Sequence, residues 1–393
     1  MHPVDPWLEE LAAVAARHAR TQPLVRGQCV PYFRRGVLSV PAFKWNGAGD
    51  PTLEARAQSL RHMAKASQWP VDALFFDLED AAPDQPQFKA LARQFCADAL
   101  RSAANAGRVL GFRPNDIRSP YFADDLRVVL PAAGAQVDFV VLPKTESADE
   151  VRDVAALVRE AAARWRWPRV PRLEVLIESP RALLQAEAIA AVPEVAALVF
   201  GAYDFSRCIG SEVDAQTWLT DQAAARQWLP VVAAAHGKEA LDAVTATLPI
   251  RPKDPTAPTT EERARHTEAI ALCARDATDA ARLGYAGKWV LHPDQVDPIQ
   301  RAFSPDAARA RRALDLCAAY ARAAMQGSGA ERDEATAGRV RLVDKAVAGM
   351  EFWVVQAGLR AGVIGAEDLA RAGFSADELR AATIGRGRAT PAP

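Results

Sequence analysis

Residues 72–80 read Asp72-Ala73-Leu74-Phe75-Phe76-Asp77-Leu78-Glu79-Asp80. The four successive apolar residues fit a strand that is buried on both faces, because a strand with one solvent face alternates polar and apolar residues. Three acidic residues, Asp77, Glu79 and Asp80, follow at the end of this apolar run. The segment therefore predicts a buried parallel strand with charged side chains at its carboxyl end.

Seven further runs of this kind occur along the chain. The eight runs span residues 36–43, 72–76, 109–112, 137–142, 173–177, 195–200, 240–245 and 289–291, and helix-period segments such as 54–68, 87–105, 147–166, 180–191 and 262–284 lie between them. Eight such units predict a closed (β/α)8 TIM barrel. The structural alternative is a doubly wound open sheet, but no Gly-x-Gly-x-x-Gly motif follows the first run.

The start and end of this alternation predict the domain organisation. We expect an N-terminal helical extension over residues 1–35 with a helix near 8–19, a barrel over 36–304, a helical C-terminal extension over 305–381 and a disordered tail over 382–393. A polar linker over 326–338 divides the C-terminal helices. Four prolines within 247–262 predict a surface excursion after the seventh strand.

Composition excludes several classes of protein. The 393 residues include 48 Lys and Arg against 49 Asp and Glu, so the basic excess of nucleic-acid and anionic-membrane binders is absent. Five scattered cysteines without a Cys-x-x-Cys motif favour a reducing compartment over a disulfide framework or a zinc site. We find no secretory signal and no apolar window approaching a membrane span. We therefore expect a cytoplasmic protein with no nucleic-acid or membrane partner.

Charged or titratable side chains follow six of the eight predicted strands. In a TIM barrel the carboxyl ends of the strands form one mouth, so these six groups should converge there. Any one of them could be a helix cap or a loop charge, but capping does not explain all six, and buried charges need a partner or a metal. The six groups are Asp77-Leu78-Glu79-Asp80, Arg113, Lys144, Glu178, Asp204 and His292.

The two acids after the fifth and sixth strands predict a metal site. Glu178 and Asp204 would be neighbours, and adjacent carboxylates repel each other unless a cation lies between them. Mg²⁺ fits, because it takes one or two carboxylates and completes its shell with water and substrate oxygens. In the alternative interpretation, Asp204 caps the helix that follows.

The two cations have several possible roles. Arg113 could bind a substrate carboxylate bidentately, or form a salt bridge to Asp77 or Glu79. Lys144 could polarise a carbonyl, form a Schiff base or pair with a barrel carboxylate. A neighbouring metal site argues against the Schiff base and favours pairing.

Several motifs taken together resemble one family, the HpcH/HpaI aldolases and citrate lyase β-subunits, over roughly residues 35–303. The motifs are Asp77-Leu78-Glu79-Asp80-Ala81, Phe112-Arg113-Pro114-Asn115, Leu142-Pro143-Lys144, Ile177-Glu178-Ser179, Phe200-Gly201-Ala202-Tyr203-Asp204 and Gly287-Lys288-Trp289-Val290-Leu291-His292-Pro293-Asp294-Gln295. Two features depart from the family pattern: Val40-Pro41-Ala42 lacks the glycine that usually follows the proline, and Pro114 precedes Asn115.

The resemblance implies a TIM barrel that cleaves C–C bonds with a divalent metal, Mg²⁺ or alternatively Mn²⁺. In the acyl-CoA branch of the family the metal ligands match Glu178 and Asp204, and the arginine that grips the 2-oxo acid matches Arg113. The family's acidic cluster orients that arginine or metal-bound water. It matches Asp77, Glu79 and Asp80.

The resemblance also implies a homotrimer or hexamer. In such assemblies a C-terminal segment of a neighbouring subunit covers the site and donates an aspartate as acid or base, and Asp344 is the best match. Its alternative is a plain N-cap or surface acid. For substrate and CoA binding we expect Arg34, Arg35 and Lys44 near the CoA phosphates, with Lys144 and His292 also near the substrate.

The expected function is the reversible Claisen cleavage of malyl-CoA, methylmalyl-CoA or citramalyl-CoA into an acyl-CoA and glyoxylate or pyruvate. Three alternatives stay open. The chain could be a malyl-CoA thioesterase of the same family, an aldolase on CoA-free 2-oxo acids, or a non-catalytic barrel scaffold.

Overall fold

The computed structural model describes residues 10, 13–14, 16, 26–27, 30–50, 52–102, 108–211, 222–252, 254, 256–336 and 339–384. The chain divides into two compact units. One comprises Arg26–Ser304, and the other contains the described residues from Pro305 onwards. The helix predicted near residues 8–19 falls largely outside the described residues, as does most of the predicted tail.

The first unit is a closed barrel of eight parallel strands, as predicted. The strands are Gly36–Pro41 (β1), Ala73–Asp77 (β2), Val109–Arg113 (β3), Phe139–Leu142 (β4), Arg172–Ile177 (β5), Val195–Phe200 (β6), Glu239–Asp242 (β7) and Gly287–Val290 (β8). The barrel closes where Val37 of β1 pairs with Trp289 of β8. This register places all eight carboxyl ends at one mouth.

Helices on the outside of the barrel join consecutive strands, and a final helix follows β8. They are Leu53–Ala66 (α1), Pro86–Leu100 (α2), Phe122–Ala133 (α3), Ala148–Arg164 (α4), Pro180–Leu184 (α5), Ala186–Ala190 (α6), Ala202–Ile209 (α7), Ala223–Ala235 (α8), Thr260–Leu283 (α9) and Val296–Ala302 (α10). α9 begins with a capping box, in which the side chains of Thr259 and Glu262 accept each other's main-chain N–H groups. The surface excursion predicted over 247–262 therefore ends at Thr260, where α9 begins.

Successive side chains of each strand point to opposite faces of the sheet, so the strands contribute to two separate apolar layers. Val37, Phe75 and Leu241 lie in one cluster inside the barrel, whereas Leu38 and Phe76 pack in the cluster that includes the surrounding helices. Gly111 points inward, and a Cβ there would lie 2.4 Å from the ring of Phe139. The glycine therefore makes room for an aromatic side chain in the barrel interior.

A charged cluster is buried on the outer side of β7 and β8. Lys288 Nζ lies 2.9 Å from Asp242 and 2.6 Å from Asp276, and Arg226 contacts the same two acids at 2.7 and 2.9 Å. All four side chains are essentially inaccessible to solvent. Two cations and two carboxylates therefore balance within this layer, which ties α8 and α9 to the barrel wall.

The C-terminal unit contains the predicted helices, namely Ala307–Met325 (α11), Lys345–Arg360 (α12), Ala366–Ala372 (α13) and Ala376–Thr383 (α14). The prediction of a polar linker over 326–338 was wrong. Ala330–Thr336 (β9) and Arg339–Asp344 (β10) form an antiparallel pair. One reason is that Val343 packs against Leu316, Tyr320 and Ala348, so the hairpin has an apolar anchor. Among the described residues, no helix is long and apolar enough to cross a membrane.

Replacing Lys288 tests the buried cluster. Lys288→Met should lower the free energy of unfolding by about 3–5 kcal/mol, because two buried carboxylates would then share a single cation. The midpoint of urea unfolding, followed by circular dichroism, measures this effect. Arg265→Ala is the control: it removes an exposed pair with Glu261, so its midpoint should stay close to that of the wild type. Equal midpoints for the two variants would contradict a stabilising role for the cluster.

Candidate functional site

A cavity of about 200 Å³ lies at the carboxyl ends of the strands and opens to solvent. Four charged groups line it, namely Asp80, Arg113, Glu178 and Asp204, together with apolar side chains that include Leu176, Phe200 and Trp289. The structure thus brings residues from distant parts of the chain to one mouth, as the strand pattern predicted.

Glu178 and Asp204 line the same cavity. Glu178 follows β5, is buried, and accepts a hydrogen bond from the main-chain N–H of Lys144. Burial raises the pKa of Glu178 to about 7, a shift that the Lys144 N–H opposes and the charge of nearby Asp204 reinforces. Asp204 lies in the first turn of α7 and accepts from Arg207 at 2.5 Å, but it does not cap the helix, whose N-cap is Gly201.

Because Gly201 has no side chain, it leaves room for the side chain of Glu178. A Cβ at this position would lie 2.4 Å from Glu178 Cβ and 2.9 Å from Glu178 Oε2. Contacts this short require one of the two residues to move. Gly201 therefore lets β6 approach the glutamate closely and defines where its carboxylate rests.

Arg113 is held by the acidic segment after β2. Its Nε and Nη2 donate to the two oxygens of Asp77 at 2.8 and 2.6 Å, and Nη1 lies 3.1 Å from Glu79. Asp77 and Arg113 are register partners on adjacent strands. The salt bridge considered in the sequence analysis is therefore present, although Arg113 also lines the cavity. Burial alone would lower the pKa of Arg113, but the surrounding carboxylates raise it, so the guanidinium keeps its charge.

Lys144 pairs with the same acidic segment, as favoured from the sequence. Its ammonium contacts Glu79 and lies 3.2 Å from Asp80. Burial alone would lower the pKa of Lys144, but these carboxylates raise it. Burial also raises the pKa of Glu79 to about 7, despite the opposing charge of Arg113. Lys144 is therefore a charged partner in the cluster and not a free amine suited to Schiff-base chemistry.

The loops that carry these groups are fixed by buried polar side chains. Lys89 of α2 donates to the carbonyls of Leu78 and Glu79 at 2.8 and 2.6 Å. Asn115 donates through its main chain and its amide to Asp125 at 2.8 and 2.6 Å. These contacts explain why Asn115 follows the arginine motif, since it sets the path of the chain after β3.

The expected CoA-binding residues do not all reach the mouth. Arg35 immediately precedes β1, so it lies at the opposite end of the barrel, where it pairs bidentately with Asp72. The assignments of Arg34 and Arg35 to the CoA phosphates were therefore wrong, because both residues precede β1 and cannot lie at its carboxyl end. Lys44 follows β1 and is exposed. His292 follows β8, and its Nδ1 accepts the main-chain N–H of Asp294 at 3.2 Å as a cap.

Asp344 belongs to the C-terminal unit, where it ends β10. Its Oδ1 accepts the main-chain N–H of Val347 at 2.9 Å and caps α12. The simpler alternative for Asp344, an N-cap, is therefore what this structure contains. An aspartate that caps a helix through one oxygen still presents its second oxygen, so the cap is compatible with a role as acid or base.

Several residues that line the cavity were not predicted from the sequence as part of the site. They are Ser39, Tyr203, Ala243, Val244 and Trp289. Ser39 and Trp289 could have been found by counting alternate positions, because Val37 and Trp289 both lie in the inner cluster and Ser39 is two residues beyond Val37. The others lie just past a strand, where the turn geometry and not the alternation decides which way a side chain points.

The donor set fits a hard divalent cation. Within the described part of the chain, no group of three or more His, Cys, Asp or Glu side chains is arranged to hold a metal by itself. Two cavity carboxylates, Glu178 and Asp204, suit Mg²⁺, which retains several water or substrate ligands. The pair offers neither the thiolates nor the imidazoles expected of a structural zinc site.

The chain is similar in sequence to a known family and to several proteins of that family. A family model described as HpcH/HpaI aldolase/citrate lyase matches residues 55–249. A citrate lyase subunit beta-like protein of Deinococcus radiodurans is 35% identical over 273 residues, 68% of this chain and 84% of that protein. An L-malyl-CoA/beta-methylmalyl-CoA lyase of Rhodobacter capsulatus is 31% identical over 290 residues, 71% of this chain and 85% of that protein.

Two further similarities bear on chemistry and fold. A (3S)-malyl-CoA thioesterase of Cereibacter sphaeroides is 29% identical over 272 residues, 68% of this chain and 82% of that protein. The crystal structure of CitE from Mycobacterium tuberculosis, in complex with magnesium, acetoacetate and coenzyme A, superposes with a TM-score of 0.56 at 23% identity, covering 84% of this chain and 99% of that one. At that identity the structural similarity shows the fold alone.

The Gly201→Ala variant tests how the glutamate is placed. The added methyl group should displace the Glu178 carboxylate and weaken Mg²⁺ binding by at least about tenfold, since lost ligand geometry typically costs 10- to 100-fold in affinity. Isothermal titration calorimetry with Mg²⁺ measures the change. Gly329→Ala is the control, because a Cβ there meets nothing within 4 Å. Unchanged Mg²⁺ affinity in Gly201→Ala would show that Glu178 does not need this space.

Proposed function

The chain belongs to the HpcH/HpaI aldolase/citrate lyase family, and from this premise we propose that it is a Mg²⁺-dependent C–C lyase. Its substrate is a 3-hydroxyacyl-CoA of the malyl-CoA, methylmalyl-CoA or citramalyl-CoA type, cleaved to an acyl-CoA and a 2-oxo acid. The observation that carries the proposal is the arrangement of Glu178, Asp204 and Arg113 around one cavity. A non-catalytic scaffold has no need of this costly convergence of charge.

Each polar group at the mouth has a role in this proposal. Glu178 and Asp204 would hold Mg²⁺, which would act as a Lewis acid on the oxygens of the substrate. Arg113 faces the carboxylate of the departing 2-oxo acid. Asp77 and Glu79 orient the guanidinium, so that little reorganisation is needed as the product forms.

The reaction is a retro-Claisen cleavage. A base takes the hydroxyl proton, the C–C bond breaks, and its electron pair passes to the thioester as an enolate. The hydroxyl carbon becomes the carbonyl carbon of the 2-oxo acid. A proton donor then protonates the enolate carbon to give the acyl-CoA. Asp344 of a neighbouring subunit is proposed as this donor, in a trimeric or hexameric assembly.

The apolar wall of the cavity is consistent with an acyl substrate. Ala243, Val244 and Leu291 line it along with the charged groups. Apolar side chains there favour an alkyl substituent over a second charged group, because an unpaired charge against them would be poorly solvated. Lys44 and His292 lie past strand ends at the mouth and are proposed to contact the CoA moiety.

One alternative has a specific observation in its favour. The malyl-CoA thioesterase relative is almost as similar to this chain as the lyase relatives, at 29% against 31% identity. Thioester hydrolysis would use the same metal and arginine on the same substrate but would leave the carbon chain intact. Sequence similarity does not separate the two reactions, whereas their products do.

Product analysis tests the proposal. Purified protein with Mg²⁺, assayed separately with each of the three hydroxyacyl-CoA substrates, should release glyoxylate or pyruvate together with an acyl-CoA from at least one of them, with the products identified by mass. Glu178→Gln and Asp204→Asn should each lower kcat/KM at least about hundredfold, because a Lewis acid supplies several kcal/mol to such a reaction. Asp149→Asn, at an 86% exposed side chain, is the control. Free malate plus CoA would indicate the thioesterase, and full activity in excess EDTA would refute the metal.

A subunit-mixing experiment tests the role of Asp344. Asp344→Asn and Glu178→Gln should each be inactive alone, because one lacks the proton donor and the other a metal ligand. Mixed oligomers that contain both variants should regain about a quarter to a third of wild-type activity, because in every mixed trimer one of the three mouths meets an intact Asp344 of its neighbour. The measurement is kcat of the doubly tagged, purified mixture. Activity no higher than that of the separate variants would exclude donation between subunits.

A further inference from the structure

Lys144 has an unusual backbone conformation for a residue with a side chain. Its φ is 48°, in the left-handed region, and among the described non-glycine residues only Arg166 also has a positive φ. Lys144 lies two residues beyond β4, at the mouth. A Cβ makes this conformation unfavourable, so it persists only where surrounding contacts hold it, and such residues cluster at functional sites.

The main chain of Lys144 is part of the Glu178 environment. In this conformation its N–H donates to Glu178 Oε1, while its carbonyl accepts from the guanidinium of Arg118. Arg118 is itself anchored by Asp116 and Glu150. The peptide units on both sides of Lys144 are thus fixed, and one of them touches the proposed metal ligand.

The side chain of Lys144 makes contacts in the opposite direction. Its ammonium pairs with Glu79 and Asp80, the segment that also holds Arg113. These ion pairs are partly buried, so they are stronger than pairs on an open surface. A single residue therefore connects the acidic segment after β2 with the glutamate after β5.

We propose that Lys144 is a positioning residue for Glu178. The ion pairs of its ammonium hold its backbone in the left-handed conformation, and that backbone directs the N–H to Glu178 and orients the carboxylate towards the cation. This role differs from the polarisation of a substrate carbonyl, because the ammonium acts through the main chain. The inference rests on the proposed function, since it takes Glu178 as a Mg²⁺ ligand.

Alanine and glycine at position 144 separate the backbone from the charge. Both substitutions remove the ammonium, but alanine keeps the Cβ strain and glycine does not. The backbone should therefore relax in Lys144→Ala and withdraw its N–H from Glu178. We expect Mg²⁺ to bind Lys144→Ala about tenfold more weakly than Lys144→Gly, a difference of about 1.4 kcal/mol. Lys144→Arg keeps the charge and should bind Mg²⁺ like the wild type. Isothermal titration calorimetry on the full chain measures all four proteins.

Two further sets of variants provide a control at another position and a second comparison at position 144. Arg166→Ala and Arg166→Gly repeat the comparison at the other left-handed residue, which lies between α4 and β5 away from the mouth, and both should bind Mg²⁺ like the wild type. Lys144→Asn and Lys144→Gln serve if Lys144→Ala fails to fold. Both are neutral amides, but asparagine tolerates positive φ far better, so it should bind Mg²⁺ more tightly than glutamine.

The outcomes distinguish this inference from the proposed function. Equal Mg²⁺ affinities in the alanine and glycine variants, and likewise in the asparagine and glutamine variants, would overturn the positioning role. The same holds if the Arg166 variants lose affinity to the same extent. If the wild type itself binds no Mg²⁺, the proposed function fails, whatever the variants show. Mg²⁺ affinity is read without any substrate, so an error in the choice of acyl-CoA does not affect the result.

Discussion

Electrostatic balance at the barrel mouth is the constraint that connects fold and chemistry. The carboxylates of Asp77, Glu79, Asp80, Glu178 and Asp204 outnumber the cations beside them, which are Arg113, Lys144, Arg207 and Lys89. Burial raises the pKa of Glu79 and of Glu178 to about 7, so without a metal the excess negative charge is partly met by protons. A bound divalent cation would offset this negative charge without protonating a ligand.

Charged side chains are arranged differently at the two ends of the barrel. At the amino end, Arg34 lies 2.8 Å from Glu174 and 2.9 Å from Glu239, with all three buried inside the barrel. Tyr32 adds a contact to Glu174 at 3.4 Å. This layer places two carboxylates around one guanidinium and is closed to solvent, whereas the mouth has an open cavity lined by acids.

Much of the fold and part of the site follow from sequence periodicity. Runs of apolar residues predicted all eight strands, and the residues just after them predicted Arg113, Glu178 and Asp204 at one mouth. The same rule should have excluded Arg35, which precedes its strand. The hairpin of β9 and β10 escaped prediction because its strands are largely polar and its apolar anchor, Val343, contacts residues distant in the sequence. Local patterns carry no information about such contacts.

The left-handed conformation of Lys144 could not be predicted from the sequence. Composition gives no reason for a lysine to adopt a positive φ, and Lys144 could be assigned to the acidic segment only because a cation near carboxylates needs a partner. Its backbone role requires coordinates, because the N–H that reaches Glu178 belongs to a residue 34 positions earlier in the chain. In a closed barrel adjacent strands bring such pairs together, so one residue can join two parts of a site through its main chain and its side chain. Position 144 therefore has two separable requirements, one for charge and one for backbone conformation.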